Sequence, residues 1–373
     1  MGRKDAIAWV VSACSLYALP SQAKALAAIV AAALSVERVS LASLGRAMPG
    51  EALVKHQIKR VYRFLANEAV EPLEVMRGVV PRVLERWPAG TPLLVSFDWT
   101  DVRGNQTLMA AAVVGGRAIP LAWASCTKHT YDGHRSRNAF EEALLLALKA
   151  MLPAHVRAIL LADRGFGRTE LGRFCQRQGL SYVIRIQPKV TIRYGNVSCR
   201  LDRYPVKRGV AKRLDDVLYR GHDPVRQHMV IRWKRGLPKR RDECWYLMTD
   251  LVGRRWNAKA VSDLYARRMS VEELFRDQKS VRNGWALRLT MVTRPDRLDR
   301  LILVLALAYL LLVGLGLVAK ERRRPSAWSS NTRADELSLF QIGRVMLGRL
   351  RVTTAACVAA VAAALEAVGG NWG

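Results

Sequence analysis

The sequence predicts a mixed α/β fold: one sheet flanked by helices, a β-rich insertion before a glutamate-bearing helix, and an all-helical N-terminal region. Three observations predict it. Residues 93–99 (LLVSFDW) and 158–163 (AILLAD) are short apolar runs, each ending in or beside an aspartate. Continuous apolar runs of that length read as strands covered on both faces. Between and after them strand-like and helix-like patterns alternate, as a layered α/β domain requires. Finally, residues 264–279 (LYARRMSVEELFRDQK) read as an amphipathic helix. At about 100° per residue, Tyr265, Arg268, Glu272 and Lys279 fall within about 60° of one another. Leu264, Val271 and Phe275 form an adjoining apolar stripe, so the helix packs by the stripe and turns the four polar groups toward a site.

Composition narrows the partners. The chain has 373 residues, ample for a sizeable core and two or three domains. Lys plus Arg is 60 against 31 Asp plus Glu, a formal net charge of +29. Such a surplus repels itself unless a polyanion is near; nucleic acid is the first candidate and an anionic membrane surface the second. The six cysteines are scattered with no C-x-x-C pair. That argues against zinc and a disulfide framework and suits a reducing cytoplasm. Residues 6–19 follow Arg3 and Lys4 but lack the long clean apolar core of a signal peptide. Residues 301–319 carry no charge and are borderline for a bilayer span. Arg297 and Arg300 precede them and Lys320, Arg322, Arg323 and Arg324 follow, so the flanks set no orientation. A helix buried against a sheet reads the same way, and we expect that and no membrane.

In chain order, residues 1–87 read as helices: 22–34 behind a Ser21 cap, 40–48, 51–67 and 71–87. In the third, Lys55, Lys59 and Arg63 recur every four residues with His56 and Arg60 alongside. Such a strip suits DNA phosphates or a major groove, and equally a solvated basic face. Strands follow at 93–99, 107–114 and 118–125, the last two joined at Gly115-Gly116. Then come a helix at 137–152, a strand at 158–163, a helix at 168–178 and a strand at 181–186. That succession, closed by the Glu272 helix, is the order of an RNase H-like core. Residues 187–249 read mostly as strand, with 229–234 and 244–249 pairing as a hairpin whose tip carries Arg235, Lys239, Arg240 and Arg241. This cation cluster suits a phosphate backbone. The last part has a Ser- and Asn-containing linker, a helix at 338–350 and an Ala-rich helix at 355–368 suited to packing or dimerisation. The expected domains are 1–87, helical and DNA-binding; 88–320, catalytic, with 187–249 inserted; and 321–373, helical.

Asp98 and Asp163 each close an apolar strand. On neighbouring strands both carboxylates reach one sheet edge, where a helix bearing Glu272 can join them. Three carboxylates in that order suit magnesium, which prefers a few hard oxygen ligands. Strand-end carboxylates also cap turns, and Asp101 competes with Asp98 for the first place.

The spacing Tyr-x2-Arg-x3-Glu-x6-Lys at 265–279 is the signature of bacterial insertion-sequence DDE transposases, and here the chain resembles that family without a gap. SFDWTD resembles the family's first-aspartate motif, LADRGFG its second, and WYLMT at 245–249 its tryptophan segment. The resemblance is strong over residues 90–315 and loose over the N-terminal helices, where the family places a DNA-binding region. It implies that Asp98, Asp163 and Glu272 are the catalytic metal ligands for two Mg²⁺ ions, with Mn²⁺ as substitute. It implies that Arg268 and Lys279 grip phosphates and that Tyr265 donates to a phosphate or packs the helix. Trp245 would stack on a base flipped from a DNA hairpin; Trp256 is its rival, and a core position is the ordinary alternative for both. The implied partners are double-stranded DNA, as terminal inverted repeats and target, and a second copy in a homodimer at the cytoplasmic nucleoid. A nuclease on the same core, an inactive DNA-binding derivative and a membrane-anchored protein are the competing readings.

Overall fold

The computed structural model describes residues 1–127, 130–131, 136–219, 224–234, 243–330 and 337–372. Its strands are β1 (Pro92–Val102), β2 (Asn105–Val114), β3 (Arg117–Thr127), β4 (Arg157–Ala162) and β5 (Ser181–Arg185), then β6 (Thr191–Tyr194), β7 (Val197–Arg200), β8 (Ala211–Tyr219), β9 (Val225–Lys234) and β10 (Glu243–Thr249). They form one ten-stranded sheet in the order β3-β2-β1-β4-β5-β10-β9-β8-β6-β7. β1, β2 and β3 are an antiparallel meander, and β4 and β5 join in parallel. This arrangement is consistent with an RNase H-like core. The expected hairpin partners β9 and β10 do pair, Trp245 opposite Arg232. The insertion is more than a separate β-rich lobe: β10 pairs antiparallel with β5 and so prolongs the core sheet.

Alternation along the strands divides the core. Leu94 of β1 and Ile159 and Leu161 of β4 bury on one face, with Val261 and Leu264. Leu93, Val95 and Phe97 with Leu160 and Ala162 bury on the other, with Phe140, Leu144 and Leu148. The first face carries α8 (Ala258–Ala266), α9 (Ser270–Lys279) and part of α12 (Thr354–Gly370); the second carries α6 (Arg137–Met151) and α7 (Thr169–Gln178). Both faces covered is why the strands read as continuous apolar runs.

The N-terminal helices are α1 (Arg3–Cys14), α2 (Pro20–Ala33), α3 (Leu41–Ala47), α4 (Val54–Ala66) and α5 (Pro72–Val83). Several boundaries shift from expectation, and the fifth helix ends at Val83 rather than at residue 87. The second helix begins at Pro20, where the Leu19 amide donates to Gln22 Oε1 at 3.0 Å, so Ser21 lies inside it. The fourth begins at Val54, three residues later than the pattern suggested.

The stretch 301–319 lies in α10 (Pro295–Arg322), which packs on α2, α12, β3 and α11 (Leu339–Met346). It is the one described helix long and apolar enough to cross a membrane, and 94% of its most apolar 18-residue window is buried inside the protein. The crossing with α11 is close: a Cβ on Gly343 would stand 1.9 Å from the Leu312 carbonyl oxygen. The described residues beyond 320 join this core directly. The Asp5 carboxylate accepts from the amide and hydroxyl of Thr354 at the start of α12, at 2.5 and 2.9 Å. All six cysteines are free thiols.

Candidate active site

Strand register brings the two aspartates together. Phe97 of β1 pairs in parallel with Ala162 of β4, and the next residue on each strand is the aspartate, Asp98 and Asp163. Both share the parity of Leu94 and Leu161, so they project toward the face that α8 and α9 cover. The Asp163 side chain also caps a 3-10 turn, Arg164–Phe166, accepting from the Gly165 amide at 2.8 Å. That turn runs close under β5: a Cβ on Gly167 would stand 2.9 Å from the Arg185 carbonyl oxygen, which requires glycine.

The predicted single helix over 264–279 is broken. α8 ends at Ala266, a 3-10 turn spans Arg267–Met269, and α9 starts at Ser270. The Ser96 hydroxyl, two residues before Asp98 on the same face, donates to the Arg268 carbonyl at 3.4 Å and ties the turn to β1. Tyr265 stays beside Arg268: burial holds its hydroxyl above the usual range, while the Arg268 guanidinium hydrogen-bonded to it pulls the other way. Its ring is buried edge-on against Trp245, centroids 5.1 Å apart. The Leu264, Val271 and Phe275 stripe is buried as expected.

Arg268 sits in the turn and holds two carboxylates: Nη1 donates to Asp98 Oδ2 at 2.9 Å and Nη2 to Glu272 Oε1 at 2.7 Å. Lys279, at the end of α9, donates to Thr100 Oγ1 at 2.6 Å. Asp98, Trp99, Thr100, Asp101, Glu272, Phe275, Arg276 and Lys279 line an open cleft of about 450 Å³. Burial pushes the Asp98 carboxyl up to about 6; Arg268 opposes this, while Asp163 and Glu272 add to it. Asp163 and Glu272 are thus both near enough for their charges to act on Asp98. Burial and the neighbouring Arg288 hold Lys279 below its usual value, against the pull of Asp101 and Asp98.

Among the described residues, no three Asp, Glu, His or Cys side chains stand close enough to hold a metal ion. The cation shared by Asp98 and Glu272 is the Arg268 guanidinium. The donor set, all carboxylate oxygens, is still the one magnesium or manganese takes. Burial first, and the like charges of Asp163 and Glu272 after it, raise Asp98 against the pull of Arg268, and in donor chemistry these residues fit a divalent ion.

Over residues 90–311 the chain matches the transposase DDE domain. This span covers the aspartate strands, the insertion, both helices around Arg268 and most of α10. The chain belongs to the DDE transposase family. No curated protein matches the transposase.

The other expected DNA contacts are spread more widely. Lys55, Lys59 and Arg63 are exposed on α4. Trp245 is only 8% exposed, with Lys234 Nζ 3.9 Å from its ring centroid, and its buried indole N–H finds no acceptor among the described residues. Its rival Trp256 is more buried and stacks on Trp372. Arg235, Lys239, Arg240 and Arg241 lie outside the described residues. Sequence reasoning passed over Trp99, which lines the cleft beside Asp98, and Glu141, whose carboxylate takes the Trp99 indole N–H at 2.8 Å. The signal for Glu141 was a lone charge within the apolar stripe of α6.

Proposed function

We propose that this transposase binds the terminal inverted repeats of its insertion sequence and cuts and joins DNA at the cleft bounded by Asp98 and Glu272. The observation that carries the reading is the Asp98–Arg268–Glu272 bridge, with Asp163 near enough to raise the Asp98 carboxyl. Asp98, Asp163 and Glu272 would hold two Mg²⁺ ions, or Mn²⁺ in their place, which supply Lewis acidity and an activated water for in-line displacement at phosphorus.

The chain's own residues do the rest. Arg268 turns from the carboxylates to a phosphate near the cut, where a planar guanidinium binds two oxygens. Lys279, a compact cation beside the cleft, neutralises a second phosphate. α4 lays Lys55, Lys59 and Arg63 on the backbone of the element end, and Lys239, Arg240 and Arg241 serve the same purpose from the insertion. Tyr265 supports Trp245, and Trp245 receives a flipped base once Lys234 moves off its ring; such stacking is worth about 1–3 kcal/mol. The freed 3′-hydroxyl attacks the opposite strand to give a hairpin, which is reopened, and then attacks target DNA. A homodimer pairs the two ends, and the reaction takes place at the nucleoid.

A nuclease that hydrolyses without joining is the second reading, and the burial of Trp245 is the observation that favours it. The test is a duplex bearing the element end, incubated with Mg²⁺ and wild type or Glu272→Ala, resolved on a denaturing gel. Nicking at the end that Glu272→Ala abolishes, with binding retained, is the expected result, together with a slow-running hairpin band. Cleavage without hairpin or joined product supports the nuclease. Cleavage that survives Glu272→Ala refutes the site.

A further inference from the structure

Glu141 is a charged group where the fold would ordinarily place none. It lies on α6, behind the sheet as seen from Glu272, and is 1% exposed. Its carboxylate accepts from three segments: Trp99 Nε1 at 2.8 Å, Arg137 Nε at 3.1 Å and Arg168 Nη1 at 2.5 Å. Burying a carboxylate is costly unless several donors meet it, and here they do.

The donors come from places that matter. Trp99 directly follows Asp98 on β1. Arg168 stands at the end of the short loop that Asp163 begins, just before α7. One buried carboxylate therefore grips the chain one residue beyond Asp98 and five residues beyond Asp163. Trp99 has little freedom to drift, because its ring stacks on Phe140 at 5.5 Å and Arg137 lies 4.9 Å from its centroid. The Asp163 loop is fixed from its other side as well, where Tyr219 Oη donates to the Gly167 carbonyl at 3.1 Å.

We propose that Glu141 is a positioning residue that sets the spacing of Asp98 and Asp163 for divalent metal, acting through Trp99 and Arg168. It touches neither substrate nor metal. The proposal rests on the metal-site reading above and assigns to that site a support on the opposite face of the sheet. Groups that orient metal ligands typically change metal affinity about 10–100-fold when removed.

The test titrates Mn²⁺ into the purified full-length protein without DNA and follows the free-ion electron paramagnetic resonance signal. Wild type, Glu141→Gln, Trp99→Phe and Asp98→Ala are compared, each with its thermal melt and its metal-free affinity for an end duplex. Glu141→Gln is expected to weaken Mn²⁺ binding about 10–100-fold. Trp99→Phe, which keeps the stack on Phe140 and loses only the indole N–H, weakens it in the same direction by a smaller factor. Metal-free DNA binding is unchanged in Glu141→Gln. Folded Glu141→Gln and Trp99→Phe that bind Mn²⁺ as wild type does overturn the proposal. Should Glu141→Gln fail to fold, Trp99→Phe decides alone: a weaker affinity supports the proposal and an unchanged one overturns it. Asp98→Ala separates the two levels. Lost Mn²⁺ binding there with unchanged Glu141 variants removes only the positioning role, whereas unchanged binding in Asp98→Ala removes the metal site and the proposal together.

Discussion

Asp98 is held in a state that the unfolded chain does not share. Its carboxyl titrates at about 6 in the folded protein against 3.8 as the ordinary value. The folded protein therefore binds more protons than the unfolded chain between those values, and this group lowers stability as pH rises through that window. Denaturant midpoints measured in chelator from pH 4 to 7 are expected to show this slope in wild type and a flatter one in Asp98→Asn. An identical slope would mean that Asp98 is not the group responsible. Both aspartates were legible in the sequence because an apolar strand ending in a charge is a strong local signal. Arg268's grip on Asp98 was not, since those residues stand 170 apart in the chain and meet only through the sheet. Glu141 escaped for the same reason: on its own helix it is one charge in an apolar stripe, and two of its three donors, Trp99 and Arg168, come from a strand and a loop outside that helix.

At the scale of the element, α9, which carries Glu272, is anchored from behind. Arg117, just past the β2–β3 turn, pairs with Asp277 at 2.8 Å and Glu273 at 3.4 Å, and Tyr309 Oη of α10 donates to Asp277 at 2.8 Å. Burial holds the Asp277 carboxyl above the usual range while Arg117 pulls it down. Arg117→Ala strands a buried carboxylate and is expected to destabilise the protein by about 3 kcal/mol in a denaturant melt. It should also slow cleavage, because Glu272 rides on the same helix. A loss below about 0.5 kcal/mol, the range of ordinary surface changes, would show that the pair does not anchor α9. Gly343→Ala is expected to cost about 1–3 kcal/mol by overpacking, since its Cβ would press on the backbone of α10. The four-residue signature located this helix but not its 3-10 turn. A helical wheel assumes uniform rotation, and the Ser96 bond that holds the turn on β1 is tertiary. The insertion's strands were readable from turns and alternation; that they extend the core sheet depends on β10 meeting β5, which no local pattern encodes.

For the whole molecule, the surplus of +29 is the property that most directly reports the partner. Each phosphate contact contributes about 0.9 to the slope of log affinity against log salt on duplex DNA. Replacing Lys55, Lys59 and Arg63 together by alanine is expected to weaken end binding and lower that slope by about 2–3, measured by fluorescence anisotropy across a salt series. An unchanged slope would make α4 a solvated basic face. Burial of α10 shows why hydropathy alone misleads here: an uncharged run looks alike in a bilayer and in a helical layer, and only its packing on α2, α11 and α12 separates them. We propose above that Asp98, Asp163 and Glu272 form one metal site, with the Arg268 guanidinium between Asp98 and Glu272 in the metal-free protein. The measurement that tests it most directly is anomalous diffraction from crystals of the full chain soaked in Mn²⁺. Mn²⁺ peaks bounded by the three carboxylates are expected, with the Arg268 guanidinium moved off Asp98 and Glu272. No peak there, with Arg268 still bridging the two at saturating Mn²⁺, would contradict it.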